Sequence, residues 1–207
     1  MSDRWDSWRV LLAVPVVSLV SAGAIVLVLN LVSPLLAMSP SRSVTPRRGE
    51  PTPEMPRRQE LVGNPAPEIQ GRLIGPSLAH GQDFRLSDYR GQVVVIDFWA
   101  SWCGPCRIST PALNELQTRH AESGLVLVGV NLDSGFNHDA VQAARESFGA
   151  EFPSIQDAER EFQSAYGVTA LPTLVVIHPD GSVITTHRGG ASVDRLSQLV
   201  APHLPPQ

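Results

Sequence analysis

From Leu61 to the C-terminus the chain alternates between short, nearly unbroken apolar runs and longer stretches whose hydrophobic positions recur at helical spacing. "VVVIDFW" (Val93 to Trp99) and "LVLVGVNL" (Leu125 to Leu132) have the continuous hydrophobicity of strands buried on both faces of a sheet. Between them, Pro105 to about His120 carries Ile108, Leu113 and Leu116 at helical spacing. Further helices are expected over His138 to Phe148 and Ala158 to Tyr166. "TLVVIH" (Thr173 to His178), the turn Pro179-Asp180-Gly181 and "SVITTHR" (Ser182 to Arg188) predict a hairpin, and Val193 to about Ala201 a last helix. Strands separated by helices pair in parallel and a hairpin pairs antiparallel, so the pattern predicts an α/β fold with a mixed central sheet flanked by helices. No internal repeat is present.

The first sixty residues follow other rules. Val10 to Met38 contains no charged residue over 29 positions, where roughly 20 apolar residues suffice to cross a bilayer. Arg4 and Arg9 before it and the small residues Ala22-Gly23-Ala24 also fit a cleaved signal peptide. The apolar run, however, continues through Ile25 to Leu29, beyond the length of an ordinary signal core, so the expectation is an uncut anchor over residues 1–38. Ser39 to Glu60 holds Pro40, Pro46, Pro51, Pro53 and Pro56 and reads as a semi-extended linker over residues 39–60, leaving 61–207 as the folded domain. Five arginines follow the apolar span and two precede it; by the charge rule alone that places the domain in the cytoplasm.

Charge narrows the partners. All 16 basic side chains are Arg, and from Leu61 onward nine of them face 15 acids, a surface that disfavours nucleic acid as a partner.

The chemistry lies in "DFWASWCGPCRISTP" (Asp97 to Pro111), which holds both cysteines of the chain. As a structural staple, Cys103–Cys106 would close a ring too small to restrict the unfolded chain by more than about 2 kcal/mol. A zinc site needs two further ligands, but there is no second CxxC and the six histidines show no paired spacing; no metal and no cofactor is expected. A reversible electron carrier fits better. A buried strand ends at Trp99, a short loop presents Cys103, and Gly104-Pro105 opens a helix whose unpaired N–H groups favour a thiolate there. Pro105 stands where a missing N–H costs nothing, and Cys106, one turn into the helix, is placed to resolve a mixed disulfide.

These residues resemble the thioredoxin superfamily. "WCGPC" (Trp102 to Cys106), Pro111 five residues after the second cysteine, and "LPT" (Leu171 to Thr173) before a strand carry the resemblance. The lead-in "VGNPAPEI" (Val62 to Ile69), "FRLSDYRGQVVVIDFWASWCGPC" (Phe84 to Cys106) and the added strand-helix segment around Leu132 to Ser154 are similar to the membrane-anchored TlpA/ResA-like branch. The resemblance implies a thioredoxin fold with Pro172 in the cis form, with Leu171 offering its backbone to an extended substrate chain. It also implies that Asp97 helps deprotonate Cys106. Strand alternation puts Asp97 on one face with Val95 and Trp99, where an apolar layer would raise its pKa; a surface aspartate at a strand end is the alternative. Trp102, Gly104 and Pro105 would line the substrate groove with Leu171 and Pro172. One departure stands out: many members of the branch carry Glu three residues after the second cysteine, and this chain has Ser109.

The function so implied is a membrane-tethered thiol-disulfide oxidoreductase, a monomer whose client is a protein with a disulfide or thiol pair, supplied by a membrane-embedded electron donor. The family's location outside the cytoplasm outweighs the arginine count, because that rule weakens when a long domain follows the span. A peroxidase of the peroxiredoxin type and a redox-inactive peptide-binding module are the alternatives.

Overall fold

The two apolar runs become neighbouring strands at the centre of the domain. The computed structural model describes residues 58–76 and 79–205; the expected anchor and nearly all of the linker lie outside them. Five strands form one sheet in the order β5-β4-β3-β6-β7: β3 is Val94–Trp99, β4 Val126–Asn131, β5 Ser154–Gln156, β6 Thr173–Ile177 and β7 Val183–Arg188. β4 runs parallel to β3, and β5 parallel to β4. β6 is antiparallel to β3, and β7 to β6, so the sheet is mixed as its sequence pattern predicts.

The period-2 alternation of β3 divides the core into two layers. Val94, Ile96 and Phe98 pack with Val128, Val130, Val175 and Ile177 under Ile69, Phe84, Leu86 and Tyr166. Val93 and Val95 face the other way, with Leu127, Leu174 and Val176. That side is closed by Leu113 and Leu116 of the helix Gly104–His120, here called α2, and by Leu196 and Val200 of the helix Val193–Val200, called α5. Each such leucine or valine, fully removed from water, contributes about 1.5–3 kcal/mol. Ser192 caps α5 by accepting from the Arg195 N–H. The helix α3, His138–Phe148, is capped in the same way by Asn137, which accepts from the Ala140 N–H.

Several boundaries differ from the sequence expectation, each for a local reason. The helix expected over Ala158 to Tyr166 is only Glu161–Ala165 (α4). The Arg160 N–H donates to the Asp157 carbonyl at 3.1 Å and the Asp157 carboxylate takes the Gln163 N–H at 2.7 Å, so the first residues are spent on a turn. Arg160 closes it at φ 59°, a left-handed conformation that cannot continue a helix backwards. α5 passes into a 3-10 turn at Ala201–His203, where Pro202 has no N–H to extend the α-helical ladder.

Two short strands escaped the pattern altogether. Gln70–Arg72 (β1) and Asp83–Arg85 (β2) pair antiparallel, and three residues with at most one buried side chain carry too little periodicity to be read. The last linker residues also enter the fold, as the single turn Arg58–Leu61 (α1), with Leu61 buried. Bridges from Val62 to Val183 and from Ile74 to Ser154 fasten this lead-in to both edges of the sheet. Among the described residues no helix is long and apolar enough to cross a membrane.

Candidate active site

Strand β3 delivers the chain to the redox motif, and polar contacts hold the loop that follows. The Ser101 N–H donates to both carboxylate oxygens of Asp133 at 3.2 Å, and Asp133 is itself fixed by the Asn131 side chain at 3.0 Å. The Cys103 N–H donates to the Ala100 carbonyl at 3.0 Å. Cys103 is the N-cap of α2 in extended conformation, φ −83° and ψ 94°, and its Sγ accepts from the Cys106 N–H at 3.2 Å. Pro105 occupies the first turn, where its missing N–H removes no hydrogen bond. α2 then runs through Pro111 without interruption as far as His120.

The two sulfurs are joined as a disulfide, with Cα atoms 5.3 Å apart. In this oxidised form both cysteines are nearly covered, Cys103 at 4% and Cys106 at 2% exposure, so the presentation of Cys103 expected from sequence is confined to the rim around it. That rim is open: Gly104 and Pro105 are exposed, and Trp102 stands out at 71%. The pair packs with Ile74, Trp99, Val141 and Phe148, and Leu171 lies against the same cluster.

Leu171-Pro172 is cis, in agreement with the expectation for Pro172. Pro172 is buried, its carbonyl accepting from the Gly189 N–H at 2.8 Å. A groove of about 260 Å³ runs past Trp102 and Leu171, floored by Leu132, Val168 and Ala170, with Arg160 and Gln163 on its wall. A groove of mixed polar and apolar lining beside a disulfide suits an extended peptide.

Asp97 lies in the interior, 3% exposed, on the face that also carries Val95 and Trp99. Its Oδ1 has no hydrogen-bond partner. Burial without compensation disfavours the charged form and lifts its pKa from the ordinary 3.8 to about 7. The alternative of a surface aspartate is thereby overturned. Asp97 shares a small cavity with Thr110 of α2, and the Thr110 hydroxyl donates to the Cys106 carbonyl at 2.9 Å, so the acid lies beneath the turn that holds the second cysteine. Ser109, where the branch often has Glu, is buried and donates to the same carbonyl at 3.0 Å; no carboxylate competes with Asp97 from that position.

Three contributors were not singled out by sequence reasoning. Asp133 fixes the loop before Cys103, and only its place directly after a buried strand hinted at this. Arg145, on α3, is 2% exposed, although nothing in a helical pattern marks one arginine as internal. Gly129 is the β4 partner of Asp97, and the absence of its side chain gives the Trp99 indole its place. A Cβ there would stand 2.8 Å from Trp99 Nε1 and 2.3 Å from Ser154 Oγ, two atoms hydrogen-bonded to each other at 3.2 Å. Gly129→Ala is therefore expected to cost about 1–3 kcal/mol by overpacking, read from denaturant unfolding, and to weaken the Trp99–Phe148 contact beneath the cysteines. Unchanged stability would contradict this packing.

A thioredoxin-like α/β fold with a CxxC disulfide at the N-terminus of the helix after the central strand defines a class, the thioredoxin-fold thiol-disulfide oxidoreductases. The chain belongs to the redoxin family, whose description matches residues 61–200. It is 36% identical over 122 residues to the thiol-disulfide oxidoreductase ResA of Geobacillus thermodenitrificans, covering 59% of this chain and 66% of that protein. With ResA of Bacillus subtilis it shares 34% over 110 residues, 53% of this chain and 60% of the relative. The match thus spans less than two thirds of either curated protein. Among solved structures, a Chlorobium tepidum chain assigned as the thiol:disulfide interchange protein DsbE superposes with a TM-score of 0.60 at 33% identity, covering 70% of this chain and 98% of that one.

Proposed function

We propose that the protein reduces disulfides of client proteins outside the cytoplasm, held at the membrane by residues 10–38 and recharged by a membrane-embedded dithiol donor. The observation that carries this reading is the Cys103–Cys106 disulfide capping α2 above a buried, unpartnered Asp97. In the reduced protein the Cys103 thiolate, favoured by the helix N-terminus, attacks one sulfur of a client disulfide. A mixed disulfide forms and the other client sulfur leaves as a thiol. Cys106 then gives its proton to Asp97 and attacks Cys103 Sγ, closing the ring seen here and releasing the second client thiol. The client gains two electrons from the cysteine pair; its two sulfurs leave as thiolates and take up one proton from solvent, which received the Cys103 proton, and one released by Asp97, so the electrons reside in the cysteines themselves and no bound cofactor is called for.

Trp102, Gly104, Pro105, Leu171 and Pro172 border the place where the client segment would lie. The Gly-Pro spacer is that of thioredoxin, whose potential of about −270 mV makes it a reductant. The reading is tested by reduction of insulin disulfides with the reduced domain, alongside a cysteine-free reporter fused after Gln207. Insulin reduction and labelling of the reporter from outside the cytoplasm are expected. Absence of reduction would leave a peptide-binding module, and a cytoplasmic reporter would reverse the orientation.

A further inference from the structure

The cavity under the active site is lined by two buried ionisable groups, an acid and a guanidinium, neither of which forms an ion pair among the described residues. It measures about 10 Å³, the room one water needs. Asp97, Trp99, Thr110, Arg145, Phe148, Ala150 and Phe152 form its walls. Asp97 Oδ1 and Arg145 Nε are both shut off from solvent and both without a hydrogen-bond partner. The far end of the guanidinium is pinned: Nη1 donates to Gln142 Oε1 at 3.2 Å, and Nη2 to the carbonyls of Ala150, at 2.9 Å, and Phe152. Among the described residues Arg145 forms no ion pair, although a buried guanidinium without an anion is costly. Nε is the one nitrogen of this fixed fork that makes no hydrogen bond.

We propose that Arg145 is a positioning residue for the reaction of Asp97: through solvent in this cavity, its Nε–H supports the carboxylate that forms when the acid loses its proton. No direct bond joins the two groups, so the coupling runs through a shared water, which would accept from Nε and donate to Oδ1. The charged or titratable neighbours are Glu146, next to Arg145 on α3, which acts on the guanidinium electrostatically, His187 and Arg107. β4 contributes Gly129, β6 contributes Leu174, and α2 contributes Thr110 and the Cys106 turn. α5 closes this layer with Leu196. His187 of β7 lies on the same face, one strand beyond Leu174 in register, and the Arg107 guanidinium sits over the Phe148 ring, 5.1 Å from its centroid.

The inference deepens the proposed reaction and is tested without it. In the disulfide form, where neither cysteine titrates, the Asp97 carboxyl carbon and the Arg145 Nε–H are followed by NMR against pH. Both resonances are expected to move with one midpoint, and the Nε–H profile to become flat in Asp97→Asn. A flat Nε–H profile in the unmodified protein overturns the proposal. Arg145→Gln is expected to raise the Asp97 midpoint by about one unit, because an opposite charge that favoured the ionised form is gone, and Arg145→Lys to hold it close to the original. An unmoved midpoint in a folded Arg145→Gln protein equally overturns it. If that variant does not fold, the paired titration in the unmodified protein decides alone. Failure of insulin reduction would count against the proposed function and leave these titrations unaffected.

Discussion

Cys103→Ser is expected to abolish disulfide reduction outright, while Cys106→Ser still attacks substrates and stalls with them attached. The asymmetry follows from position along one helix. Cys103 caps α2, where unpaired N–H groups and the helix dipole favour a negative sulfur; its Sγ already accepts from the Cys106 N–H. Cys106 is 2% exposed and sits one turn inside, above the buried acid, so it reaches Cys103 more readily than it reaches a client. With Ser at position 106 the mixed disulfide has no internal attacker. Adducts should accumulate through Cys103, visible by non-reducing electrophoresis and mass spectrometry, and dithiothreitol should release them. Adducts through Cys106 in the Cys103→Ser protein, or full activity in either variant, would reverse the assignment of attacking and resolving thiols.

The second large effect concerns Asp97, and its sign is unusual for a carboxylate. Burial raises its folded pKa to about 7 from 3.8, so between these values the native protein keeps a proton that the unfolded chain releases. Stability then falls as pH rises through that window and levels off above pH 7. The shift corresponds to about 4 kcal/mol as an upper limit. Asp97→Asn, neutral at every pH, should remove this slope and leave the variant more stable than the parent at pH 8, with little difference below pH 4, as measured by urea unfolding of the oxidised forms. The same change should slow resolution of mixed disulfides by about tenfold or more if Asp97 takes the Cys106 proton. A variant that is stabilised yet resolves at the parent rate would confine Asp97 to a structural role; parallel stability profiles would show that its proton is not held by burial.

The chain discloses itself unevenly. Val93 to Trp99 and Leu125 to Leu132 were legible as central strands because a segment buried on both faces can hold few polar residues, and that constraint is written locally. The α2 start was legible for the same kind of reason, since Gly104-Pro105 and a preceding cysteine meet the needs of a helix N-terminus. Ala158 to Tyr166 misled, because Asp157 just before it spends its carboxylate and carbonyl on a turn that delays the helix. β1 and β2 stayed hidden because three-residue strands are stabilised by what they pair with, and that pairing spans loop closure no short window contains.

By itself the sequence determined the alternation of strands and helices, the CxxC pair at a helix start, and the face of β3 on which Asp97 stands, since each depends on residues within one or two turns of each other. Only the tertiary structure decided what that face meets. Helix α3 carries Arg145 to the cavity from 48 positions further along the chain, Gly129 leaves space for the Trp99 indole, and the Leu171-Pro172 loop packs against the cysteines. Contacts of that range arise from the closure of the sheet and the helices over it, and they turn an ordinary aspartate into a buried acid next to a disulfide.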